Sequence, residues 1–360
     1  MQTSPVWITG ADGWLGTNLL AALHQGIAGV PGLERPFASA KLHCLVAPGS
    51  EPHAEFAGGR VVRREGDVRD AAAVERFFGG SSPGSTSPGG DGGTVFHLAG
   101  IIHPRRVRDL EDVNVTGTRH VLEAARRAGA RRAVVMSSNS PLGCNPHPDH
   151  LFDEQSPYHP YMGYGRSKMR MEELVNELGA KGSMETVLVR APWFYGPYQP
   201  ARQVLFFRMI QGGKAPIVGS GESRRSMAYL ENLAQGLLLA ATVEAAAGRT
   251  YWIADERPYS MNEVIDTIER LMETEFGLEV AHKRLRLPNF AGSVATVLDG
   301  LIQRTGLYHQ KMHVLSEMNK TIACAIDRAK VELGYAPTVS LEEGMRRSLV
   351  DARERHDFGR

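Results

Sequence analysis

Two side chains four residues apart, Tyr164 and Lys168, form the clearest chemical pattern in the sequence. They lie in a segment from Pro160 to Gly179 that is predicted as one helix, so the phenol and the ammonium share a helical face. A tyrosine with an ordinary pKa of about 10 is a weak base at neutral pH, and an adjacent cation favours its phenolate form. The pair therefore predicts proton transfer to or from a substrate oxygen, with Tyr164 as general acid/base.

The N-terminal stretch supplies the type of element that such a reaction needs. The apolar run Val6 to Thr9 predicts a strand, the loop 10–16 is rich in glycine, and a helical pattern follows from Leu19. Glycines let the backbone approach a pyrophosphate, and the helix N-terminus beyond them favours its negative charge. Strand, glycine turn and helix in this order predict a nucleotide-binding loop.

The following chain alternates between apolar runs and helical patterns. Further predicted strands begin at Leu42, Arg60, Thr94 and Ala133. Alternating strands and helices predict a parallel sheet, whose ligands lie at the carboxyl ends of the strands. The glycine loop, Ala99-Gly100 and Ser137-Ser138 all fall at that edge. The segment from Gly79 to Gly93 contains only small and polar residues and is predicted as a surface loop.

The choice between NAD and NADP depends on the end of the second predicted strand. An acidic residue there suits NAD, whereas a nearby Arg suits the phosphate of NADP. The strand ends instead in Val46-Ala47-Pro48-Gly49. We expect NAD, because no Arg or Lys lies in the glycine loop or directly after this strand, and NADP stays open.

Composition sets limits on the partners. The 360 residues include 41 basic and 40 acidic side chains, so neither nucleic acid nor an anionic membrane is an expected partner. The three cysteines, Cys44, Cys144 and Cys324, suggest no disulfide framework and no metal site. The N-terminus shows no signal peptide and the apolar runs are too short to span a bilayer, so a cytoplasmic protein acting on a small molecule is expected.

The order of these motifs resembles the extended short-chain dehydrogenase/reductase family, in its NAD-dependent epimerase/dehydratase branch. The likeness extends nearly from end to end and implies an α/β fold with a doubly wound parallel Rossmann sheet and a smaller C-terminal mixed α/β substrate lobe. An NAD(P)-binding domain is expected over 1–190, with about 227–254 returning to it, and a mainly substrate-binding domain over 191–360. A homodimer through the helices that carry Asn114 and Tyr164 is also implied.

The resemblance also assigns roles to residues. The implied catalytic residues are Ser138, Tyr164 and Lys168. The implied cofactor-binding residues are Gly10, Asp12, Gly13, Trp14, Leu15, Gly16, Asp67, Val68, Leu98, Ala99, Gly100, Asn114, Tyr164, Lys168 and Pro192. The implied substrate-binding residues are Asn139, Trp193 and Arg225, and no metal site is expected. Some relatives use the position of Asn139 in place of the serine, so the group that orients the substrate oxygen is open between Ser138 and Asn139.

Two departures from the family pattern narrow the reaction. Sugar dehydratases carry an Asp-Glu pair where this chain has Asn139-Ser140, so elimination is disfavoured. Reversible oxidation remains, and a sugar-nucleotide epimerase is the leading interpretation. Trp193 stands where many relatives have an Asn that contacts substrate phosphates, and tryptophan accepts no hydrogen bond. The alternative is therefore an NAD(P)-dependent dehydrogenase or ketoreductase of a non-nucleotide alcohol, similar to 3-beta-hydroxysteroid dehydrogenases.

Overall fold

The computed structural model describes residues 4–51, 56, 59–79 and 92–359, so the predicted loop from Gly79 to Gly93 falls largely outside the described residues. The strands are β1 (Val6–Thr9), β2 (Leu42–Val46), β3 (Val61–Glu65), β4 (Thr94–His97), β5 (Arg132–Ser138), β6 (Glu185–Ala191), β7 (Trp193–Tyr195), β8 (Ala215–Val218), β9 (Arg224–Arg225), β10 (Met227–Tyr229), β11 (Thr250–Trp252), β12 (Tyr259–Ser260) and β13 (Arg284–Leu287). The α-helices are α1 (Trp14–Gln25), α2 (Ala71–Gly79), α3 (Arg108–Glu111), α4 (Thr118–Arg127), α5 (Met162–Ala180), α6 (Ala201–Gln211), α7 (Leu230–Thr242), α8 (Met261–Thr274), α9 (Phe290–Arg304), α10 (Gln310–Glu317) and α11 (Leu341–His356).

Among the described residues, seven strands form one sheet in the order β11-β6-β5-β4-β1-β2-β3, and every neighbouring pair is parallel. Strands β1, β2, β4 and β5 are buried along their whole length. Such continuous burial is expected where helices cover both faces of a parallel sheet. The doubly wound α/β fold predicted from the sequence is confirmed.

Helices cover the two faces of the sheet in separate groups. Helices α1 and α7 pack together over one face, where Leu19 and Leu237 join the same apolar cluster. Helices α2, α4 and α5 cover the other face around Phe77, Val121 and Val175. The helix predicted from 160 to 179 is observed as α5, so Tyr164 and Lys168 lie on an element packed directly against the sheet.

A smaller group of elements follows β6. Strands pair there as β7 with β10, β8 with β13 and β9 with β12, and the first two pairs are parallel. Helices α6, α8 and α11 pack around Phe207, Ile268 and Leu349. Helices α9 and α10 form a separate hairpin. In the part of the chain that the structure describes, no helix is long and apolar enough to cross a bilayer.

The chain returns to the central sheet after leaving it. Helix α7 packs on α1, and β11 pairs with β6 at the edge of the sheet. The return is anchored by Arg132, which is fully buried and donates hydrogen bonds to the last carbonyls of α7, including that of Ala240 at 3.1 Å, and to the carbonyl of Val243 at 2.6 Å. A cation at a helix C-terminus satisfies its free carbonyls and its dipole. The division of the chain at residue 190 stays a prediction.

A buried carboxylate joins α5 to the sheet. Glu172, which is fully buried, accepts hydrogen bonds from Ser137 of β5 at 2.5 Å and from Tyr158 at 2.8 Å. It also forms an ion pair with Arg190 of β6, at 2.6 Å between Nη2 and Oε2. A buried charge needs this level of compensation because the interior solvates it poorly. Glu172 therefore fixes the position of the helix that carries Tyr164.

We expect Glu172→Gln to lower the free energy of unfolding by about 3–5 kcal/mol, because it leaves the buried Arg190 guanidinium without its counter-ion. Denaturant unfolding followed by circular dichroism measures this loss. Glu177→Gln is the matched control, since Glu177 lies on the same helix with an exposed carboxylate paired to Lys181. Equal stability of the two variants would show that the pair does not hold α5 in place.

Candidate active site

The glycine loop touches the end of β4. Gly10 has φ +73°, a conformation that side chains disfavour, and a Cβ built on it would lie 2.9 Å from the amide nitrogen of Ala99. A Cβ on Gly16 would lie 2.2 Å from the carbonyl oxygen of Gly10. Both positions therefore require glycine. This contact brings the predicted cofactor loop against Leu98, Ala99 and Gly100, as the sequence predicts.

Helix α1 presents its N-terminus at this loop. Gly13 is the N-cap residue and has no side chain to occupy the first free N–H groups, and the first turn holds no acidic residue. Those N–H groups and the positive end of the helix dipole suit a diphosphate. Gly13 is exposed, whereas Leu15 and Gly16 are buried beneath it. The loop thus has the features that an NAD diphosphate requires.

Trp14 links the loop to the chain that crosses into the smaller lobe. Its indole Nε1 donates to the carbonyl of Pro197 at 2.8 Å, and Asn18 donates to the same oxygen at 3.0 Å. The Trp14 ring also packs edge-on against Phe194, with centroids 5.3 Å apart. The start of α1 and the segment after β7 therefore hold one another in register.

A chain of buried hydrogen bonds sets the geometry at the end of β4. His97 lies between Thr9, at 2.7 Å from Nδ1, and Thr118, at 2.8 Å from Nε2. Burial lowers the pKa of His97 to about 3, so the ring is neutral. The Thr118 hydroxyl donates to the carbonyl of Asn114 at 2.7 Å, so Nε2 of His97 must carry the proton and donate to Thr118. The network assigns a single tautomer.

Asn114 connects the end of β4 to the catalytic helix. It lies in a π-helical turn, Asp112–Gly117, between α3 and α4. Its Oδ1 accepts from the amide of Ile101 at 2.9 Å, and its Nδ2 donates to the carbonyl of Ile101 at 3.0 Å and to Ser167 at 3.1 Å. The side chain is fully buried and its polar atoms bond to protein. Asn114 therefore supports the residues around it, and its predicted contact with the cofactor stays a prediction.

Ser138 and Tyr164 lie close together at the carboxyl end of β5, and Lys168 lies one turn further along α5. The Ser138 hydroxyl donates to Ser140 at 3.1 Å and lowers the pKa of Tyr164. The preceding Ser137 donates instead to Glu172 at 2.5 Å. Asn139 follows the strand, where its backbone carbonyl accepts from Leu142 and begins a turn. Of the two serines, the structure brings only Ser138 to Tyr164.

Burial shifts both ionisable groups of this cluster. It raises the pKa of Tyr164 to about 12, against the lowering effect of the Ser138 hydrogen bond. It lowers the pKa of Lys168 to about 8, and the nearby Glu172 opposes this shift. The sequence predicted that Lys168 would favour the phenolate, but the effect that lowers the Tyr164 pKa comes from Ser138, and desolvation outweighs it. The Lys168 ammonium donates to the carbonyl of Met136 at 2.9 Å.

The residues described above lie within a region of the chain that matches a known protein family. The NAD dependent epimerase/dehydratase family matches residues 6–254. The chain belongs to this family. It is thus an NAD-dependent enzyme of the extended short-chain dehydrogenase/reductase type, and the glycine loop, β4 and the catalytic helix all lie within the matched region.

Three relatives illustrate the range of this epimerase/dehydratase family. The uncharacterized protein y4nL of Sinorhizobium fredii is 50% identical over 345 residues, which cover 96% of this chain and 94% of that protein. N-acetyl-alpha-D-glucosaminyl-diphospho-ditrans,octacis-undecaprenol 4-epimerase of Escherichia coli O157:H7 is 27% identical, over 96% of this chain and 94% of its own. The NAD complex of dTDP-glucose 4,6-dehydratase from Bacillus anthracis has a TM-score of 0.74 at 15% identity, covering 99% of this chain and 98% of its own. The last likeness shows the fold.

A polar cluster that the sequence did not predict lies beyond β2 in this family member. Asp12 of the glycine loop accepts from Arg63 of β3 at 2.8 Å and from Ser50 at 3.0 Å. The hydrogen bond to Asp12 raises the pKa of Arg63. Ser50 also donates to the carbonyl of Ala47. Ala47 directly follows β2, where an acidic residue would suit NAD. The parallel pairing of β3 with β2 brings Arg63 to the end of β2. This pairing is the signal from which the cluster could have been predicted.

The turn after β3 carries Asp67 and Val68, which the family resemblance implies as cofactor-binding residues. Asp67 is half-buried and is bound by Arg69, which lowers its pKa. Val68 is buried, and its carbonyl lies 3.0 Å from Nδ1 of His120. A Cβ on Gly117 would lie 2.7 Å from Val68, so this turn packs closely on the π-helical segment. Both residues follow a strand next to β2, at the same edge as the glycine loop.

A cavity of about 630 Å³ opens beside the N-terminus of α5. Its walls include Cys144, His159, Tyr161, Glu222 and Lys320. Sequence reasoning missed Tyr161 and Lys320 as wall residues. Tyr161 is the N-cap residue of α5 and has extended backbone, so helical spacing gave no signal for it.

Three predicted residues lie outside the wall of this cavity: the cofactor-binding Pro192 and the substrate-binding Trp193 and Arg225. Pro192 is buried between β6 and β7, and the Trp193 ring packs on Phe206 at 5.9 Å between centroids. The Arg225 guanidinium donates to the carbonyl of Glu317. Among the described residues, neither Trp193 nor Arg225 lines the cavity. Their predicted contacts with substrate stay predictions.

We expect Lys168→Met to change how stability depends on pH. The pKa of Lys168 is about 8 in the folded protein and near its ordinary value of 10.5 when unfolded. Between these values the unfolded chain binds more protons, so the free energy of unfolding of the parent rises with pH across this window. The variant should lack this rise and be the more stable of the two below pH 8, where the parent buries an ammonium. Unfolding in denaturant at a series of pH values measures the difference.

The matched control is Lys181→Met, which removes an exposed ammonium at the C-terminal end of the same helix. Its stability should follow that of the parent across the window. A Lys168→Met curve parallel to the parent would contradict the lowered pKa.

Proposed function

We propose that this chain is an NAD-dependent epimerase that inverts one carbinol carbon of a sugar linked through a diphosphate, most simply a nucleotide sugar. The observation that carries the proposal is the cluster of Ser138, Tyr164 and Lys168, followed by an amide at Asn139. A carboxylate after the serine would favour loss of water, and this chain has none at that position. The 4-epimerase of Escherichia coli O157:H7 among its relatives supports the same reaction class.

Tyr164 supplies the proton chemistry of this proposal. Its phenolate would take the proton of the sugar hydroxyl as that carbon is oxidised, and Ser138 would hold the same oxygen by a hydrogen bond. NAD, when bound, would accept a hydride and return it. With its pKa raised to about 12 and 7% of its surface exposed, Tyr164 would retain the proton until the ketone is reduced from its other face. Retention of the proton suits a cycle with no net oxidation.

Lys168 would serve two functions in the same cycle. A Cβ on Gly100 would lie 3.8 Å from Nζ, so the ammonium lies directly beside the end of β4, where the nicotinamide ribose is expected. Its bond to the carbonyl of Met136 keeps it there. From this position it would donate to the ribose and stabilise negative charge on Tyr164 once that phenol is deprotonated.

The Asp12 cluster supports NAD as the cofactor. Asp12 lies beside the end of β2. It would serve as the acidic residue that is missing at position 47, where the chain has alanine. The 2′-phosphate of NADP would meet this carboxylate at close range, which costs Coulomb energy. Arg63, a cation at this place, is already paired with Asp12. We therefore propose that Asp12 binds the adenosine ribose hydroxyls.

The experiment that tests the epimerase proposal is to denature the purified protein and identify the released nucleotide by mass spectrometry. We expect about one NAD per chain, because an epimerase regenerates its cofactor in each cycle. A protein that purifies without nucleotide and instead oxidises or reduces an alcohol with added NAD(H) or NADP(H) would support the dehydrogenase alternative. Tyr164→Phe should retain the nucleotide and lose activity by about 10²–10⁴-fold.

We expect Asp12→Asn to shift cofactor preference toward NADP. The substitution removes the carboxylate and frees the Arg63 guanidinium to pair with a 2′-phosphate. The ratio of the NADP to the NAD dissociation constant, measured by titration calorimetry after removal of bound nucleotide, should fall by at least tenfold. Glu65→Gln is the control, since Glu65 pairs with Arg63 at 3.4 Å and is more exposed. An unchanged ratio in Asp12→Asn would exclude Asp12 from cofactor selection.

A further inference from the structure

Helix α9 has its polar and apolar faces reversed. Its buried residues include Asp299 and Gln303 together with the small Gly292 and Ala295. Its large apolar side chains instead face solvent at spacings of three and four, which places them on one helical face. These exposed residues are Phe290, Val294, Val297, Leu298 and Leu301. Phe290 is 68% exposed and Val297 is 63% exposed, far from the pattern of a helix that only packs on its own protein.

The buried polar face of α9 is held by hydrogen bonds to α10 and α5. Asp299 Oδ2 lies 2.9 Å from Nδ1 of His313 on α10 and accepts from Gln303 at 3.0 Å. Gln303 in turn accepts from the amide of Gly163, at the first turn of the catalytic helix, at 2.9 Å. These bonds fix which side of α9 faces inward. The apolar side is exposed because the polar side is held by α10 and α5.

The exposed apolar residues of the protein are concentrated in this region. Of the fourteen large apolar side chains that are exposed in the described part of the chain, eight lie between Leu285 and Val314. Monomeric proteins seldom expose a continuous apolar surface of this kind without a binding role. We call the five exposed α9 side chains the α9 face.

Charge is also segregated around the α9 face. Residues 283–320 contain six Lys or Arg and two acidic residues, although the whole chain is nearly balanced. Both acids are withdrawn from the surface: Asp299 is fully buried, and the Glu317 side chain is 20% exposed beside His313. Exposed basic residues stand at both ends of α9. They are Lys283, Arg286, Arg304 and Lys311.

We propose that the α9 face docks on an anionic membrane surface. Its apolar side chains would enter the boundary between headgroups and acyl chains, and the basic residues at its ends would contact anionic headgroups. A second copy of this chain is the weaker occupant, because a two-fold contact would bring the same basic residues of both copies together. The balanced whole-chain charge predicted no membrane partner, and it conceals this local excess.

Because of where the α9 face lies, docking would add a property to the proposed function, namely a position at the membrane surface. Its helix bonds to the first turn of α5, and the cavity of about 630 Å³ lies beside that same turn. Docking would therefore hold the catalytic helix close to the lipid surface.

The test is sedimentation of the full-length protein with vesicles, without substrate. Vesicles of phosphatidylcholine with phosphatidylglycerol should bind the parent, and vesicles of phosphatidylcholine alone should bind it more weakly. Val297→Ser with Leu301→Ser should weaken binding by about tenfold or more, because it removes two inserting apolar side chains. Arg304→Gln with Lys311→Gln should weaken binding roughly fivefold per charge and reduce its salt dependence.

The control is Val331→Ser, which changes an apolar residue that is 84% exposed outside the α9 face and should leave binding unchanged. All these positions are exposed, so folding is expected to persist, and thermal melting checks it. The proposal is overturned if the parent fails to bind anionic vesicles, or if the α9 variant binds as the parent does. It is also overturned if the α9 variant halves the mass seen by light scattering while the parent binds no vesicles, since the face then joins two copies. Release of NAD and loss of activity in Tyr164→Phe are independent of every one of these outcomes.

Discussion

The structure depends on one buried carboxylate. Glu172 lies four residues after Lys168, hence on the same face of α5, and it gathers Ser137 of β5 and Arg190 of β6 around itself. The same charge opposes the loss of the Lys168 proton. One anion thus positions the helix, binds Ser137, and supports the cation beside it.

Burial shifts the proton affinity of both groups in the predicted catalytic cluster. Tyr164 and Lys168 are both nearly inaccessible, so desolvation raises the pKa of the phenol to about 12 and lowers that of the ammonium to about 8. Each shift is toward the neutral form, and a positive charge brought near Tyr164 would favour its phenolate.

Much of the fold could be predicted from the sequence because local patterns specify it. The apolar runs at Val6–Thr9 and Leu42–Val46 have the bounds that the structure gives to β1 and β2. The glycine spacing likewise indicated where backbone approaches backbone. Arg63 and Glu172 were not found, since their roles depend on strand register and on partners distant in the chain. The apolar stretch of α9 was visible, but which side faces solvent depends on the bonds of Asp299 and Gln303.

The position of β6 in the sheet has a consequence for folding during translation. Its residues are almost all buried, and its outer edge is covered by β11, which the ribosome supplies only after the smaller lobe has begun. Until then β6 has an unpaired apolar edge in the nascent chain, and α1 is not yet covered by α7. Open strand edges pair readily with other chains. The seven-stranded sheet therefore cannot be completed until α7 and β11 have emerged, after the first elements beyond β6 have been made.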